Sequence, residues 1–283
     1  MTLVVAWIDK GSGQLWCAAD TRISSGNSVL TDSGPKVFEV PVALNEFSEA
    51  EMTGWKVNSR YTFGFAFAGS ALAALATHVR ATSCTMNLRL DRELPVECQE
   101  LNLARIAMLY GEIGGLQIKE MCSRMGVTQK PGSVYFEGLV FGYCPLEKRY
   151  RVFILKPLMD QGVFVLNVSE IKDLVPDCCI LLGSGISRFS ERVSEPRRAN
   201  EGILDILKSI VDEDGRVDIG GHLQVGICSE KGFKNVPIVQ TGPLREGVEV
   251  NFLGYDVSKY RHIVGFEVGY FAIHIPDNPE KNS

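Results

Sequence analysis

The chain has 283 residues, of which 45% are hydrophobic and 22% charged, so it can bury a substantial core in one large domain or two small ones. The formal net charge is −5, and acidic and basic residues are interspersed without a basic stripe. That pattern gives no electrostatic support to a nucleic-acid partner. No apolar run approaches the roughly 18 residues that a membrane span requires, so no membrane partner is expected.

The first residues lack the charged segment and apolar segment of a signal peptide, which predicts a cytoplasmic protein. Methionine aminopeptidase removes the initiator Met when the second residue has a small side chain, and Thr2 qualifies. We therefore expect Met1 to be removed, which leaves Thr2 as the first residue of the chain.

The cysteines and histidines do not form the spacing of a metal or disulfide site. None of the eight cysteines belongs to a C-x-x-C pair, and four lie in apolar, strand-like runs: Cys17, Cys144, Cys179 and Cys228. This usage predicts buried thiols in a reducing cytoplasm. The four histidines are scattered, and no glycine-rich stretch has the downstream Lys of a phosphate loop, so no metal or organic cofactor is expected.

The first quarter of the chain reads mainly as strands. Residues 2–8 and 14–22 are rich in apolar and β-branched residues around a turn at 9–13, which predicts a hairpin. Residues 39–60 are polar and mixed, with Glu46, Glu49 and Glu51 among them, and this predicts an exposed loop or insertion. Residues 61–68 read again as a strand.

The rest of the chain alternates between runs of helices and runs of strands. An alanine-rich segment from residue 70 and a segment over 96–125 with apolar residues at helical spacing predict two helices. Predicted strands then cover 134–143, 150–155, 163–168 and 178–182. Two further helices are predicted over 186–193 and 202–211, followed by strands at 222–229, 236–241 and 263–275. The polar tail 277–283 is predicted to be frayed.

This segregated order of strands and helices predicts an α+β fold rather than a doubly wound parallel sheet. No internal repeat or low-complexity tract divides the chain, so residues 1–283 are predicted to form a single domain. Two sheets with a pair of helices on each outer face would make a four-layer αββα sandwich.

The most specific pattern is a set of short motifs in a fixed order. Thr2 precedes the first strand, Asp20 and Arg22 end the second in the pattern Ala-Asp-Thr-Arg, Lys36 follows a Gly-Pro pair, and Gly69 ends a later strand. In their order and near-matching spacing, these motifs resemble the proteasome β-subunit branch of the N-terminal-nucleophile (Ntn) hydrolases, which includes bacterial proteasome-like proteins. The resemblance covers most of the chain.

The residue types in these motifs suit amide hydrolysis. A threonine hydroxyl is a weak nucleophile that needs an adjacent base, and the α-amine of an N-terminal Thr2 is such a base. Its ordinary pKa of about 7.7–8.0 leaves a sizeable neutral fraction near pH 7. A nearby Lys36 ammonium would favour the alkoxide and keep the amine neutral, while Asp20 would hold Lys36 and balance its charge.

The resemblance implies these same roles and adds others. It implies that Arg22 has a structural role near the catalytic group. It also implies that the Gly69 backbone N–H binds the oxyanion of the reaction. Ser184, between Gly183 and Gly185, matches the family's Gly-Ser-Gly segment, where a serine helps to relay protons, although Gly-Ser-Gly is also ordinary turn chemistry.

Phe67 has two readings of equal weight. The resemblance places it at the floor of the first specificity pocket, where a bulky aromatic ring would leave a shallow pocket suited to small residues. It could equally be an ordinary core residue of the Phe-Gly-Phe-Ala-Phe strand.

The chain departs from the family ahead of the strand 222–229. The family commonly carries an Asp and a Ser before a Gly-Gly pair there, whereas this chain has Arg216 and Ile219. Support for the α-amine is therefore either built differently, from Asp214 or Asp218, or missing.

The resemblance implies a threonine-type peptidase or amidohydrolase that works through an acyl-enzyme ester and needs no cofactor. It also implies a homo-oligomeric ring whose active sites face an inner chamber; an ATPase or chaperone partner is not visible in the sequence. Two alternatives stay open. One is an inactive ring subunit that keeps Met1 and acts as a scaffold, and the other is a small-amide Ntn hydrolase, which a shallow pocket above Phe67 would allow.

Overall fold

The computed structural model describes the greater part of the chain as a mixture of helices and sheets. The described residues are 2–90, 93, 100–124, 131–160, 163–176, 178–195, 202–213, 217–240, 249–257 and 272–275. Cys98, His262, Asp214, Arg216 and the tail 277–283 lie outside them. No helix in the described part is both long and apolar enough to span a membrane.

Four α-helices occur in the described residues, close to where the sequence predicts them. They are α1 (Ala71–Thr85), α2 (Leu103–Ser123), α3 (Ile186–Ser194) and α4 (Ile203–Val211). Ser70 caps α1 by accepting a hydrogen bond from the Ala73 N–H, and Asn102 caps α2 through the Ala104 N–H. The second helix therefore begins several residues later than the apolar spacing alone suggested.

The strands form two large sheets, one small sheet and a ribbon. In chain order the first strands are β1 (Val4–Ile8), β2 (Leu15–Asp20), β3 (Ile23–Ser25), β4 (Ser28–Thr31), β5 (Val37–Phe47), β6 (Trp55–Gly69) and β7 (Leu88–Arg89). The later strands are β8 (Phe136–Cys144), β9 (Arg149–Asp160), β10 (Val163–Ile171), β11 (Ile180–Leu182), β12 (Leu223–Ser229), β13 (Gly232–Val236), β14 (Ile238–Gln240), β15 (Glu249–Phe252), β16 (Tyr255–Asp256) and β17 (Ile273–His274).

Neighbouring strands in each sheet come from distant parts of the chain. The five-stranded sheet has the order β11-β1-β2-β12-β13, and the six-stranded sheet has the order β10-β9-β8-β6-β5-β7. A four-stranded sheet contains β16-β15-β14-β17, and β3 and β4 form a separate ribbon. The order places the end of β2 between the starts of β1 and β12, where the N-terminal segment enters.

The expectation of an exposed loop at 39–60 is wrong. Most of these residues form the antiparallel hairpin of β5 and β6, in which Val37 pairs with Ala66 and Phe47 pairs with Trp55. Val40 and Val42 are buried, while Glu39 is exposed and Pro41 is half-buried, which is the alternation of a half-buried strand. Glu49 and Glu51, which suggested a loop, belong to the turn between the two strands.

The last third of the chain is only partly as predicted. The strand at 222–229 is confirmed as β12, but the sequence reading missed β13 and placed a strand at 236–241 where the structure has the shorter β14. The predicted strand at 263–275 lies mostly outside the described residues, which include only β17 there.

Three apolar clusters connect the helices and sheets. The first joins α1 and α2 to the six-stranded sheet, for example through Ala74, Ile106 and Phe65. The second joins the two large sheets, with Val4 on one and Leu139 on the other. The third joins α3 and α4 to the five-stranded sheet. The mixed α and β composition that the sequence predicts is therefore observed.

Three of the four cysteines that were predicted to be buried in strands are buried there. Cys17, Cys144 and Cys228 are buried, and Cys179 is half-buried just before β11. Burial raises the pKa of the Cys228 thiol to about 12. These side chains behave as small apolar residues of the core.

His78 predicts a pH dependence of stability. Its ring in α1 stacks on Phe65 at 5.5 Å, its Nδ1 lies 3.0 Å from the Tyr110 hydroxyl, and burial lowers its pKa to about 4. The unfolded chain, with an ordinary pKa of 6.5, binds more protons between these values. We expect the free energy of unfolding to fall by up to about 2 kcal/mol from pH 7 to pH 5 on this account.

Denaturant unfolding at both pH values measures the effect. The His78→Gln variant is expected to be less stable at pH 7, because the ring contacts are lost, but to show a flatter pH dependence than wild type. An equally steep dependence in the variant would contradict the assignment.

Candidate active site

Thr2 lies at the entrance to the five-stranded sheet. It is only 3% exposed and precedes β1, whose Val4 pairs with Ala19 of β2 and Leu182 of β11. The Thr2 carbonyl accepts a hydrogen bond of 3.2 Å from the Gly185 N–H. Thr2 is therefore fixed between the ends of two neighbouring strands.

Asp20 connects Leu3, the residue after Thr2, to Lys36. Its carboxylate is 1% exposed, and Oδ1 accepts both the Leu3 N–H at 3.0 Å and the Lys36 ammonium at 2.8 Å. The second oxygen, Oδ2, accepts the backbone N–H groups of Arg22 and Gly220, each at 3.3 Å. One carboxylate thus joins four segments of the chain.

Lys36 is equally buried and is held from two directions. Its backbone N–H donates to the Gln224 side-chain oxygen at 2.9 Å, and its carbonyl accepts the Phe67 N–H at 3.2 Å. Gln224 also bonds both polar backbone groups of Val37. The sequence analysis missed Gln224, whose only signal was a single amide in the otherwise apolar run 223–228.

Burial dominates the electrostatics of this pair. Loss of water lowers the pKa of Lys36 below its ordinary value, against the attraction of the Asp20 carboxylate. Burial likewise raises the pKa of Asp20, against the favourable effects of Lys36 and the Leu3 N–H. Each charge is costly alone and is compensated by the other, as in other buried ion pairs.

Gly69 ends β6 in a conformation that suits glycine. Its φ is +107°, and a Cβ there would lie 2.7 Å from the Tyr135 carbonyl oxygen. The same carbonyl accepts the Ser70 N–H at 2.9 Å, which directs the chain into α1. The close approach of two backbone segments therefore explains the glycine without reference to chemistry.

The segment 183–185 wraps around Thr2. A Cβ on Gly183, which has a φ of +93°, would lie 2.1 Å from the Thr2 carbonyl oxygen. Ser184 is exposed at the cavity surface, and Gly185 donates to the Thr2 carbonyl. The Gly-Ser-Gly sequence thus allows the chain to pass close to Thr2 and leaves a hydroxyl at the surface.

Arg22 makes structural contacts. Its Nε donates to Asp32 at 2.6 Å and its Nη1 to the Ile219 carbonyl at 3.5 Å. Hydrogen bonding to Asp32 raises the pKa of Arg22, and a Cβ on Gly220 would lie 2.6 Å from the guanidinium carbon. The arginine therefore packs the Gly-Gly segment before β12 against the end of β2.

A cavity of about 1080 Å³ brings the predicted residues together. Six of the seven line it: Thr2, Arg22, Lys36, Phe67, Gly69 and Ser184. The seventh, Asp20, lies beneath and holds Lys36. Phe67 is both a core residue and part of the wall, because its ring stacks on Phe38 and Phe65 while bordering the cavity.

Ile219 lies ahead of β12, where the sequence departs from the proteasome-like motif. It is completely buried in the apolar cluster under α3 and α4, and a Cβ on Gly185 would lie 2.7 Å from its Cδ1. Its side chain has no polar atom, so it offers no hydrogen bond to an amine. Asp218 acts electrostatically on Arg22.

Two solved structures are similar to this chain at low sequence identity. An Anbu (Gly-1) mutant from Hyphomicrobium sp. strain MC1 matches 83% of this chain and 87% of its own at 15% identity, with a TM-score of 0.50. Anbu (ancestral beta-subunit) from Yersinia bercovieri covers the same shares at 16% identity and a TM-score of 0.48.

The likeness to the first of these structures supports a proteasome-like fold. At 15% identity it concerns the fold alone. No protein-family model matches the chain, and no curated protein matches it in sequence.

Gly183→Ala tests the packing around Thr2, with Gly13→Ala as its matched control. Both glycines have positive φ, but a Cβ on Gly13 meets nothing within 4 Å. We expect Gly13→Ala to cost about 1 kcal/mol of backbone strain, and Gly183→Ala to cost a further 1–3 kcal/mol or so from overpacking. Thermal unfolding of both variants measures the difference; equal losses would contradict the close approach.

Proposed function

We propose that this chain is a threonine-type N-terminal-nucleophile hydrolase that cleaves peptide amide bonds, with Thr2 freed by removal of Met1. The observation that carries the proposal is the shared Asp20 oxygen. Beneath the cavity that Lys36 lines, it binds the N–H of Leu3 and the ammonium of Lys36, at 3.0 and 2.8 Å. Because Leu3 follows Thr2, this oxygen fixes the nucleophile relative to the cation.

The proposed reaction uses Thr2 as nucleophile and base. Its hydroxyl oxygen attacks the amide carbon while the α-amine accepts the hydroxyl proton, directly or through water. The amine then gives that proton to the departing amine of the substrate, which leaves an ester on Thr2. Water, deprotonated by the same α-amine, cleaves the ester and restores the hydroxyl.

Neighbouring groups support the charges that develop. The buried Lys36 favours an anionic oxygen on Thr2, and the Gly69 N–H is the proposed donor to the oxyanion at the end of β6. Ser184 is the proposed proton relay, since it is exposed at the cavity beside the segment that binds the Thr2 carbonyl.

The cavity's size favours a peptide over a small amide. Its volume of about 1080 Å³ lies just above the range for small-molecule sites, roughly 300–1,000 Å³. An extended substrate would fill it, whereas a small metabolite would leave much of it to water. Phe67 limits the depth of the cavity near Thr2, which suits a substrate residue with a small side chain.

An inactive subunit is the second candidate, and Ile219 favours it. The apolar side chain lies where the family commonly has a polar support for the amine. Retention of Met1 would make this candidate correct, since the α-amine would then be absent from Thr2.

The αββα arrangement is also proposed. The three apolar clusters support it, because one lies under each helix pair and one lies between the two large sheets. This stacking would place Thr2 and Gly69 at the same end of the two sheets.

We expect the chain to assemble with copies of itself into a cytoplasmic ring, because self-association is what the proteasome-like resemblance implies. Native mass spectrometry of the purified full chain should give a multiple of the subunit mass. A single subunit mass at micromolar concentration would contradict the ring and leave the chemistry at Thr2 to be judged separately.

Covalent labelling tests the nucleophile. Intact mass of the purified chain should lack Met1, and an epoxyketone peptide, which reacts with both the hydroxyl and the free amine, should add one adduct to wild type and Thr2→Ser. Thr2→Ala should give none, because the hydroxyl is gone. Full retention of Met1, or an adduct on Thr2→Ala equal to that on wild type, would refute the mechanism.

A further inference from the structure

Glu137 gives the cavity an acidic wall. It lies in β8 directly opposite Ala68 of β6, the residue before the proposed oxyanion donor. The Ala68 methyl in turn lies 3.1 Å from where a Cβ on Gly183 would be, beside the Thr2 carbonyl. Because opposite residues on one face of paired strands have Cβ atoms about 4.5–5.5 Å apart, Glu137 is one strand away from the residues around Thr2.

The other charged residues that line the cavity are already paired. Lys36 binds Asp20 at 2.8 Å, and Arg22 binds Asp32 at 2.6 Å. By contrast, no hydrogen bond or ion pair joins the Glu137 side chain to another residue in the described part of the chain. On the neighbouring strand β9, Lys156 comes directly after Leu155, which pairs with Gly138 of β8. The Lys156 side chain is exposed and forms no ion pair with Glu137. Glu137 therefore contributes a negative charge that no cation of the wall balances.

Two aromatic residues precede this charge in the chain. Tyr135 and Phe136 precede Glu137 and also line the cavity, and the Tyr135 ring is held by stacking on Phe164 at 5.2 Å. A carboxylate beside an aromatic face attracts a cation in two ways, through a charge-assisted hydrogen bond and through the ring's electron-rich face. A guanidinium group, which is planar and weakly hydrated, uses both.

We propose that Glu137 selects substrates that carry a basic side chain, arginine above all, with Tyr135 as the aromatic wall of the subsite. The proposal rests on the proposed peptidase function, because it assigns a substrate class to the same cavity. Phe67, which also lines the cavity, would limit the size of the residue beside the scissile bond. Glu137 thus belongs to a neighbouring subsite rather than to the reacting atoms.

Paired peptides test the selection without requiring turnover. The probes are tetraalanine amides carrying either arginine or citrulline, its uncharged isostere, at each position in turn. Their binding to the full chain in the Thr2→Ala background is measured by calorimetry. At one position the arginine peptide should bind at least about tenfold more tightly than the citrulline peptide, as expected for a charge-assisted contact.

Two further variants in that background locate the effect. Glu137→Gln should reduce the arginine-to-citrulline ratio to about one. Glu230→Gln, which removes the same charge from the turn between β12 and β13, should keep the ratio of the parent. Both variants should melt within a few degrees of the parent, since neither glutamate side chain forms a hydrogen bond or ion pair with another described residue.

The outcomes separate this inference from the proposed function. Equal binding of the two peptides at every position, or a ratio unchanged by Glu137→Gln, overturns the acidic subsite. An equal fractional loss of both peptides in Glu137→Gln also overturns it, because that result means that Glu137 shapes the cavity rather than binding the cation. Failure of the labelling at Thr2, with the ratio intact, overturns the peptidase and leaves a basic-peptide binding site.

Discussion

The structure around the cavity depends on one buried carboxylate. The negative charge of Asp20 must be compensated without water. The Lys36 ammonium and the backbone N–H groups of Leu3, Arg22 and Gly220 compensate it by donating hydrogen bonds. Removing one partner of such a buried pair typically costs about 3–5 kcal/mol, because the other charge is left uncompensated. The cost of burying the charge therefore fixes the relative positions of the chain start, the end of β2, the segment before β5 and the loop before β12.

Glycines complete this arrangement by letting backbone segments pass close to one another. Gly69 approaches the Tyr135 carbonyl, Gly183 approaches the Thr2 carbonyl, and Gly220 lies against the Arg22 guanidinium. A side chain at any of these positions would need its neighbours to move. The same absence of side chains keeps the space above Thr2 open, so the packing that stabilises the site also creates the cavity in which the proposed chemistry would take place.

Hydrophobic periodicity and motif spacing predicted much of this architecture and failed where tertiary pairing decided. The four described helices and most strands lie near their predicted positions. The segment 39–60 was predicted as a loop because of its charged residues, although Val40 and Val42 alternate as in a strand. These two valines are buried only because β5 pairs with β6 and the helices cover that face. Gln224 and Glu137 were missed because an isolated polar residue in an apolar strand carries no signal about what it faces.

The sequence by itself predicted most of the elements, their order and the grouping of Thr2, Asp20, Lys36 and Gly69 as candidate site residues, because residue type and local spacing carry that information. Only the tertiary structure decided that Asp20 and Lys36 form a buried pair, that Ile219 fills its position with apolar volume, and that an unpaired carboxylate borders the cavity. These facts depend on which distant segments meet. Burial, ion pairing and the free-energy cost of an unpaired charge arise from contacts between distant segments, so no single segment specifies them.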